Sequence, residues 1–325
     1  MASGNSATHL VPAEGELLDE IVDLTYPLWG EGLSRSAYAT WNRAQQQTAW
    51  GRRQLQRLAL IDRDRRLLST AKRYQFDARL DDRHVRVCGI GAVYTPPDRR
   101  GQRQATAIVQ RLLNDARTDG AEFAALFTQI GTPFYERLGF RAVELDEVTV
   151  QVTRKGGSPA MLVRAGDERD LPALAAMHDV RSAGARFALR RDVPLIQYAL
   201  ARKRLLAGLA PAGRRQLEFF VAEEGASAVA YVVLSVNEHG WTLEEAGDRD
   251  PAGARLGAML QVLLAREPTH EAPLIRAWWP RAFAVPPQLE LTGRTAPRDV
   301  LMMAALGPSA VPAAAETFYW RSDEF

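Results

Sequence analysis

One cysteine, three lysines and five histidines in 325 residues leave few of the side chains from which covalent staples and metal sites are built. A single thiol, Cys88, excludes an intrachain disulfide and points to a reducing compartment. The opening MASGNSATHLVPAEG has neither a basic start nor an apolar core, so no secretory leader is read and a cytoplasmic protein is expected. No window approaches the roughly 18 consecutive apolar residues of a membrane span, so no membrane partner is expected. The histidines (His9, His84, His178, His239, His270) are scattered, none at ligand spacing from another His or from the cysteine, and no metal site is expected. Charge of one sign is also lacking. The 41 basic and 39 acidic residues leave a net +2, which argues against a nucleic-acid binder even though arginine supplies nearly all the positive charge. Arginine runs such as residues 62–66 then read as a solvated hairpin tip.

What is present is an ordinary globular composition, 46% hydrophobic, at a length that suits two domains. Residues 8–13 read as a short strand. Leu17, Leu18, Ile21, Val22 and Leu24 repeat at helical spacing, and a glycine- and aromatic-rich loop, TYPLWGEGLSR, leads to a second helix from Ser36 to about Gly51. LQRLALIDR, LLSTAKRYQFDARL and HVRVCGIGAVYT read as three strands, with a bulge marked by Gly89 and Gly91 and Cys88 as a buried thiol. After the turn PPDRRG, the residues Ala105, Ile108, Val109, Leu112, Leu113 and Ala116 form one apolar stripe on a helix that Asp119-Gly120 stops. FAALFTQI reads as a buried strand, GTPFYERLGF as a short helix ending at Gly139, and RAVELDEVTVQV as a closing strand or hairpin. The Lys-Gly-Gly-Ser-Pro run at 155–159 reads as a linker, dividing the chain into domains 1–155 and 156–325. The second half restarts the order: MLVRAGDERDLPALAAMHD echoes the start of the chain, and strands, turn, helix and the strand PLIRAWWP follow.

A strand that ends in a tight turn before a helix presents unpaired N–H groups and the positive end of the helix dipole to an anion. Gly101 and Ala105 are small where a ligand must come close, and Arg99, Arg100 and Arg103 offer charge-assisted bonds to phosphate. This segment resembles motif A of the GNAT superfamily of N-acetyltransferases, a strand followed by P-x-x-R-G-x-G-x-(Gly/Ala) and a striped helix. Pro97, Arg100, Gly101 and Ala105 match, while Arg103, expected in the first helical turn, replaces the middle glycine. FTQIGTPFYERLGF resembles the other half of the signature, with Tyr135 before Leu138-Gly139-Phe140. The resemblance covers residues 8–153 and extends to 160–308 as a degenerate second copy. The tandem order is similar to enhanced-intracellular-survival aminoglycoside acetyltransferases and fungal-type lysine acetyltransferases, without a counterpart of the first group's sterol-carrier-like domain.

The resemblance implies an α/β (α+β) fold, a mixed and largely antiparallel sheet flanked by helices, repeated once. It implies acetyl-CoA in a V-shaped split between the strand ending at Thr95 and the strand ending near Gln129. Ala92, Val93 and Tyr94 would pair with the pantetheine arm. Thr95, Arg99, Arg100, Gly101, Gln102, Arg103, Gln104 and Ala105 would form the pyrophosphate loop, with Thr128 and Phe134 flanking the cofactor. Arg103 implies weaker or differently posed binding. A primary amine, small or peptidic, would attack the thioester directly, with an oxyanion donor from Val93 or Tyr94. Tyr135 stands at the general-acid position, its alternative being an aromatic core residue. The terminal carboxylate of Phe325, on the tail ETFYWRSDEF, is the candidate base, its alternative a frayed end. Tyr26, Trp29, Glu31 and Tyr38, with Trp41, would line an acceptor pocket suited to a cationic amine, or serve the core. The acidic residues Glu144, Asp146 and Glu147 would attract an amine or form a solvated turn. Trp278 and Trp279 would pack the second domain. There the turn GDRDPAGARLG carries Asp248 and Asp250, which would repel a pyrophosphate, so no cofactor is expected. The competing class is a non-catalytic acyl-CoA-binding scaffold.

Overall fold

The computed structural model describes residues 8–153, 161–267 and 273–325; the linker at 155–159 lies outside them. The first half runs β1 (His9–Pro12), α1 (Gly15–Trp29), α2 (Arg35–Gln47), α3 (Gly51–Gln54), β2 (Leu55–Ile61), β3 (Leu67–Leu80), β4 (Arg83–Tyr94), α4 (Gln104–Thr118), β5 (Phe123–Thr128), α5 (Pro133–Glu136), β6 (Arg141–Val143) and β7 (Glu147–Val152). The second half runs β8 (Leu162–Ala165), α6 (Leu171–Ser182), β9 (Phe187–Leu189), α7 (Val193–Leu209), β10 (Arg215–Glu224), β11 (Ser227–Asn237), β12 (Gly240–Asp248), α8 (Ala254–Ala265), β13 (Ile275–Trp278), β14 (Leu289–Thr295), β15 (Val300–Ala305) and β16 (Thr317–Phe318). Among the described residues, no helix is long and apolar enough to cross a membrane, and no group of three His, Cys, Asp or Glu is placed to hold a metal.

Two twisted sheets repeat one plan. The first has the order β1-β2-β3-β4-β5-β15-β6, the second β8-β10-β11-β12-β13-β7-β14. Along each of these seven-strand orders one parallel pair, β4 with β5 and β12 with β13, interrupts the antiparallel run, and a helix, α4 or α8, makes the crossover; the first sheet also carries β9 on β3, with the two-residue β16 parallel to β9. The fold is thus the expected mixed, largely antiparallel sheet flanked by helices, present twice.

The halves exchange a strand. The stretch 141–152 is not a closing hairpin. β6 stays in the first sheet, but β7 lies between β13 and β14 of the second, and β15 fills the matching place between β5 and β6. Side-chain pattern explains the exchange. In β15, Leu301 and Met303 enter the core on one face of the first sheet, and Met302 and Ala304 enter the core on the other. In β7 only Val148 and Val150 are buried, alternating with polar residues. Trp279 packs the second core as expected. Trp278 departs from that reading, because it stacks on Phe127 of the first sheet at 5.6 Å.

The apolar stripe of α4 sits as its spacing dictates. Ile108, Val109, Leu112, Leu113 and Ala116 are buried against the sheet, the four larger side chains each contributing about 1.5–3 kcal/mol of transfer free energy. The tip at 62–66 is a solvated turn in which the Asp62 carboxylate accepts the amides of Asp64 and Arg66, both at 2.9 Å. Cys88 is buried, and burial pushes its thiol up to about 12.

Candidate active site

β4 and β5 pair only from Val87–Phe123 to Gly89–Ala125, although β4 continues to Tyr94 and β5 to Thr128. Past that point β5 keeps β15 on its far edge and β4 keeps β3, so the strands part. A bulge drives the parting. Gly91 and Tyr94 face Lys72 and Thr70, three steps against two, and Ala92 takes φ 47° to absorb the extra residue. The bulge therefore falls at Ala92–Val93, not at the two glycines. Gly89 and Gly91 have another cause. A Cβ on Gly89 would lie 2.7 Å from the Phe76 ring and 2.8 Å from the Phe325 ring, and one on Gly91 would lie 3.2 Å from the Tyr74 ring, with the Phe325 main-chain oxygen in ordinary contact at 3.5 Å. Gly89 makes room for the Phe76 and Phe325 rings, and Gly91 for Tyr74.

The strand end is fixed by Ser69, whose hydroxyl donates to Tyr94 O at 2.8 Å and sits 3.1 Å from Thr95 Oγ1. Pro97–Arg99 form one 3-10 turn, Gly101 follows at φ 73°, and Arg103 at φ 60° is the N-cap of α4. Arg103 thus stands before the helix, not in its first turn, in a left-handed conformation that glycine adopts without strain. Arg100 Nε donates to Thr95 O at 3.2 Å, Gln102 Nε2 donates to Asp98 O at 3.1 Å, and Arg99 pairs with Asp98 at 3.2 Å. Among the described residues, the amides of Gln104, Ala105 and Thr106 find no acceptor; the first helical bond is Ala107 N–H to Arg103 O. Three donors and the helix dipole therefore face outward beside the split.

The second half answers the same geometry differently. Gly253, φ 70°, caps α8, but the buried Asp248 carboxylate accepts the amides of Arg255 at 2.9 Å and Leu256 at 3.0 Å. Asp248 takes the place an external anion would need.

Tyr135 is buried on α5 beside Phe134 and Phe140, within the core that α4 makes with the sheet. Burial pushes its phenol up to about 12. Thr128 closes β5, its hydroxyl 3.3 Å from the Ile130 amide.

From the opposite face comes the C-terminal tail. β16 pairs with β9, which pairs with β3. Phe318 and Trp320 enter the second core, Tyr319 the first. Asp323 accepts the Trp320 amide at 2.9 Å and lies 3.4 Å from the buried Arg191, which also pairs with Glu245. Arg202 donates to Glu324 O. The Phe325 ring then packs on Tyr74, Phe76 and Phe127, with its main chain over Gly91. Lys72, the register partner of Gly91, is buried; burial first, then Arg57 and Arg202, hold its ammonium well below the ordinary lysine value, and it donates to Gln45 Oε1 at 3.1 Å. Sequence reading missed Lys72 and Arg202, because a lone cation in a strand or helix carries no pattern.

The predicted acceptor residues divide. Trp29 meets the Tyr94 ring edge-on at 6.3 Å. Glu31 lines a cavity of about 530 Å³ between the sheets, together with Trp41, Gln129 and Glu324. Tyr38 is core, its hydroxyl 3.1 Å from Thr25 Oγ1, and Tyr26 donates to Leu33 O at 3.0 Å within the α1–α2 packing. Asp146 is ion-paired with Arg281 and Arg294, and Glu147 with Arg321.

Residues 21–143 match the family model described as an acetyltransferase (GNAT) domain. No curated protein matches the chain. Among solved structures, a conserved protein of unknown function from Enterococcus faecalis V583, titled a probable N-acyltransferase, is 13% identical with a TM-score of 0.67, over 93% of this chain and 73% of that one. A GCN5-related N-acetyltransferase from Kribbella flavida gives 16% and 0.64 over 93% and 72%. One from Anabaena variabilis ATCC 29413 gives 10% and 0.67 over 93% and 73%. Residues 21–143 thus match an acetyltransferase (GNAT) domain, and the chain shares its fold with solved proteins titled N-acetyltransferases.

Proposed function

We propose that this chain is an acetyl-CoA-dependent N-acetyltransferase acting on a primary amine by direct attack. In this reading residues 1–155 form the catalytic domain, and residues 156–325 a degenerate partner that lends β15, one wall of the acceptor cavity and the tail. The observation that carries it is the parted β4–β5 pair. It opens onto the free amides of α4 on one side and meets the end of the tail on the other.

These residues fit the cofactor. Gln104, Ala105 and Thr106 N–H groups, with Arg99, Arg100 and Arg103, suit a diphosphate; the bulged edge at Ala92, Val93 and Tyr94 suits an amide-bearing arm; Gly101 gives the approach, and Thr128 and Phe134 bound the other side. Bound there, acetyl-CoA supplies an activated acetyl thioester. The chain's own groups do the rest. Tyr135, raised by burial, keeps its proton through neutral and mildly alkaline pH and donates it to the departing sulfur. Val93 or Tyr94 N–H faces the developing oxyanion. The Phe325 carboxylate, free in this reading, takes the proton of the attacking amine.

The test joins binding to turnover. Coenzyme A titrated into the protein should give a saturable heat, and thiol release should follow addition of acetyl-CoA and an amine. Tyr135→Phe should retain the heat and lose about 10²–10⁴ in kcat. A Gly-Gly extension after Phe325, which keeps the ring and moves the carboxylate, should also lower kcat without weakening coenzyme A binding. No heat at millimolar coenzyme A ends the proposal. The strained Arg103 cap favours the second reading, a non-catalytic acyl-CoA binder, and heat without thiol release from any amine decides for it.

A further inference from the structure

The cavity between the sheets bears on the acceptor, and the inference rests on the acetyl-transfer reading. At about 530 Å³ it is the size of a small-molecule site. Six basic and five acidic side chains line it, and their pairing decides what it favours. Glu31 meets Arg215 at 3.0 Å and Glu244 meets Lys203 at 2.7 Å. Arg321 serves Glu147 at 3.5 Å and both Asp299 and Glu324 at 4.0 Å. Asp299 also accepts from Gln129 at 2.5 Å. Every carboxylate on the wall has a cation within 4.0 Å, three cations serving five carboxylates because Arg321 is shared by three.

The converse does not hold. Among the described residues, Arg276 and Arg298 reach the cavity with no ion-pair or hydrogen-bond partner, and Arg202 is bonded only to a main-chain oxygen. A polycationic acceptor would find each carboxylate already within reach of a cation and would meet the guanidinium groups of Arg276 and Arg298. An anionic group would find two planar forks with all donors free. Placement fits as well. Arg298 lies two residues before Val300, the register partner of Thr128 at the end of β5, so its main chain stands near the end of that strand. Glu324, beside the tail's end, lines the same cavity. We infer that the acceptor is an amine that also bears an acid group, carboxylate or phosphate, held by Arg276 and Arg298 with its amine toward Phe325. This replaces the expectation of an aromatic pocket for a cationic amine.

Matched pairs test it: 4-aminobutyrate against 4-aminobutyramide, and O-phosphoethanolamine against ethanolamine. At low ionic strength the acid member of at least one pair should show kcat/KM about tenfold or more above its neutral mate, and which pair does so identifies the acid. In Arg276→Gln/Arg298→Gln the ratio should collapse to about one. Calorimetric titration of the two acid probes needs no turnover. Heat with the parent and its loss in the double variant supports the inference. No heat from either probe, neutral members equal or preferred, or a ratio that survives the double substitution overturns it. A coenzyme A titration alongside keeps the failures apart, because loss of that heat sinks the acetyl-transfer reading, whereas loss of acid preference alone sinks only this inference.

Discussion

Arg191 is the one cation of a buried cluster that ties the tail to the second sheet, with Glu245 and Asp323 as its carboxylates. Burial pushes Asp323 up to about 6, and Arg191 and the Trp320 amide only partly oppose the rise. The folded value thus exceeds the unfolded value of 3.8. Between the two, the native state binds more protons, so stability falls as pH rises through that window. With about 1.4 kcal/mol per pKa unit, the loss reaches about 3 kcal/mol. Asp323→Asn imitates the protonated form and keeps an acceptor for Trp320 N–H. Denaturant unfolding from pH 4 to 8 should show that the variant lacks this falling limb; parallel curves for variant and parent would refute the assignment. None of this was legible in SDEF at the chain end, since the partners lie 78 and 132 residues away in sequence, in elements that only the fold brings together.

At the level of elements, the strand–turn–helix at 83–118 was readable because each piece is local: a β-rich run, a Pro-Pro turn, a glycine and a stripe of fixed period. The conformation of Arg103 was not, because the signature names the residue and not its φ. The left-handed cap is shared with Gly253, so the turn needs that conformation in both halves. Arg103→Gly should therefore stabilise the protein by about 1 kcal/mol. It also removes the guanidinium carried by the residue just before the free amides, so coenzyme A affinity should fall several-fold while the melting temperature rises. Calorimetry on the one variant reads both quantities, and a gain or no change in affinity would show that Arg103 has no part in the site. Helix α7 shows the opposite limit of legibility. Leu195, Ile196, Tyr198, Ala199 and Leu200 are all buried, so apolar residues surround the axis and no stripe marks the helix.

For the whole molecule, the repeat was visible in element order, but the exchange of β7 and β15 was not. Strand patterns state which faces are apolar, not which neighbour lies alongside. The run VLMMAA nevertheless carried a clue, because a strand apolar at every position belongs where both faces are covered. This makes the interval 1–155 incomplete as a folding unit. Without β15, the first sheet loses Leu301, Met302 and Met303, all fully buried, worth about 5–9 kcal/mol together. That is comparable to the net stability of a domain. β7 cannot take the vacancy at equal free energy, since Thr149 and Gln151 would enter the core that Met302 and Ala304 now fill. Residues 1–155 expressed alone should show no cooperative thermal transition. The same piece coexpressed with residues 156–325 should copurify with it at 1:1 and melt as one species. A sharp transition in 1–155 by itself, with coenzyme A binding retained, would mean that β7 folds back into the first sheet and that the β15 sequence does not dictate the exchange.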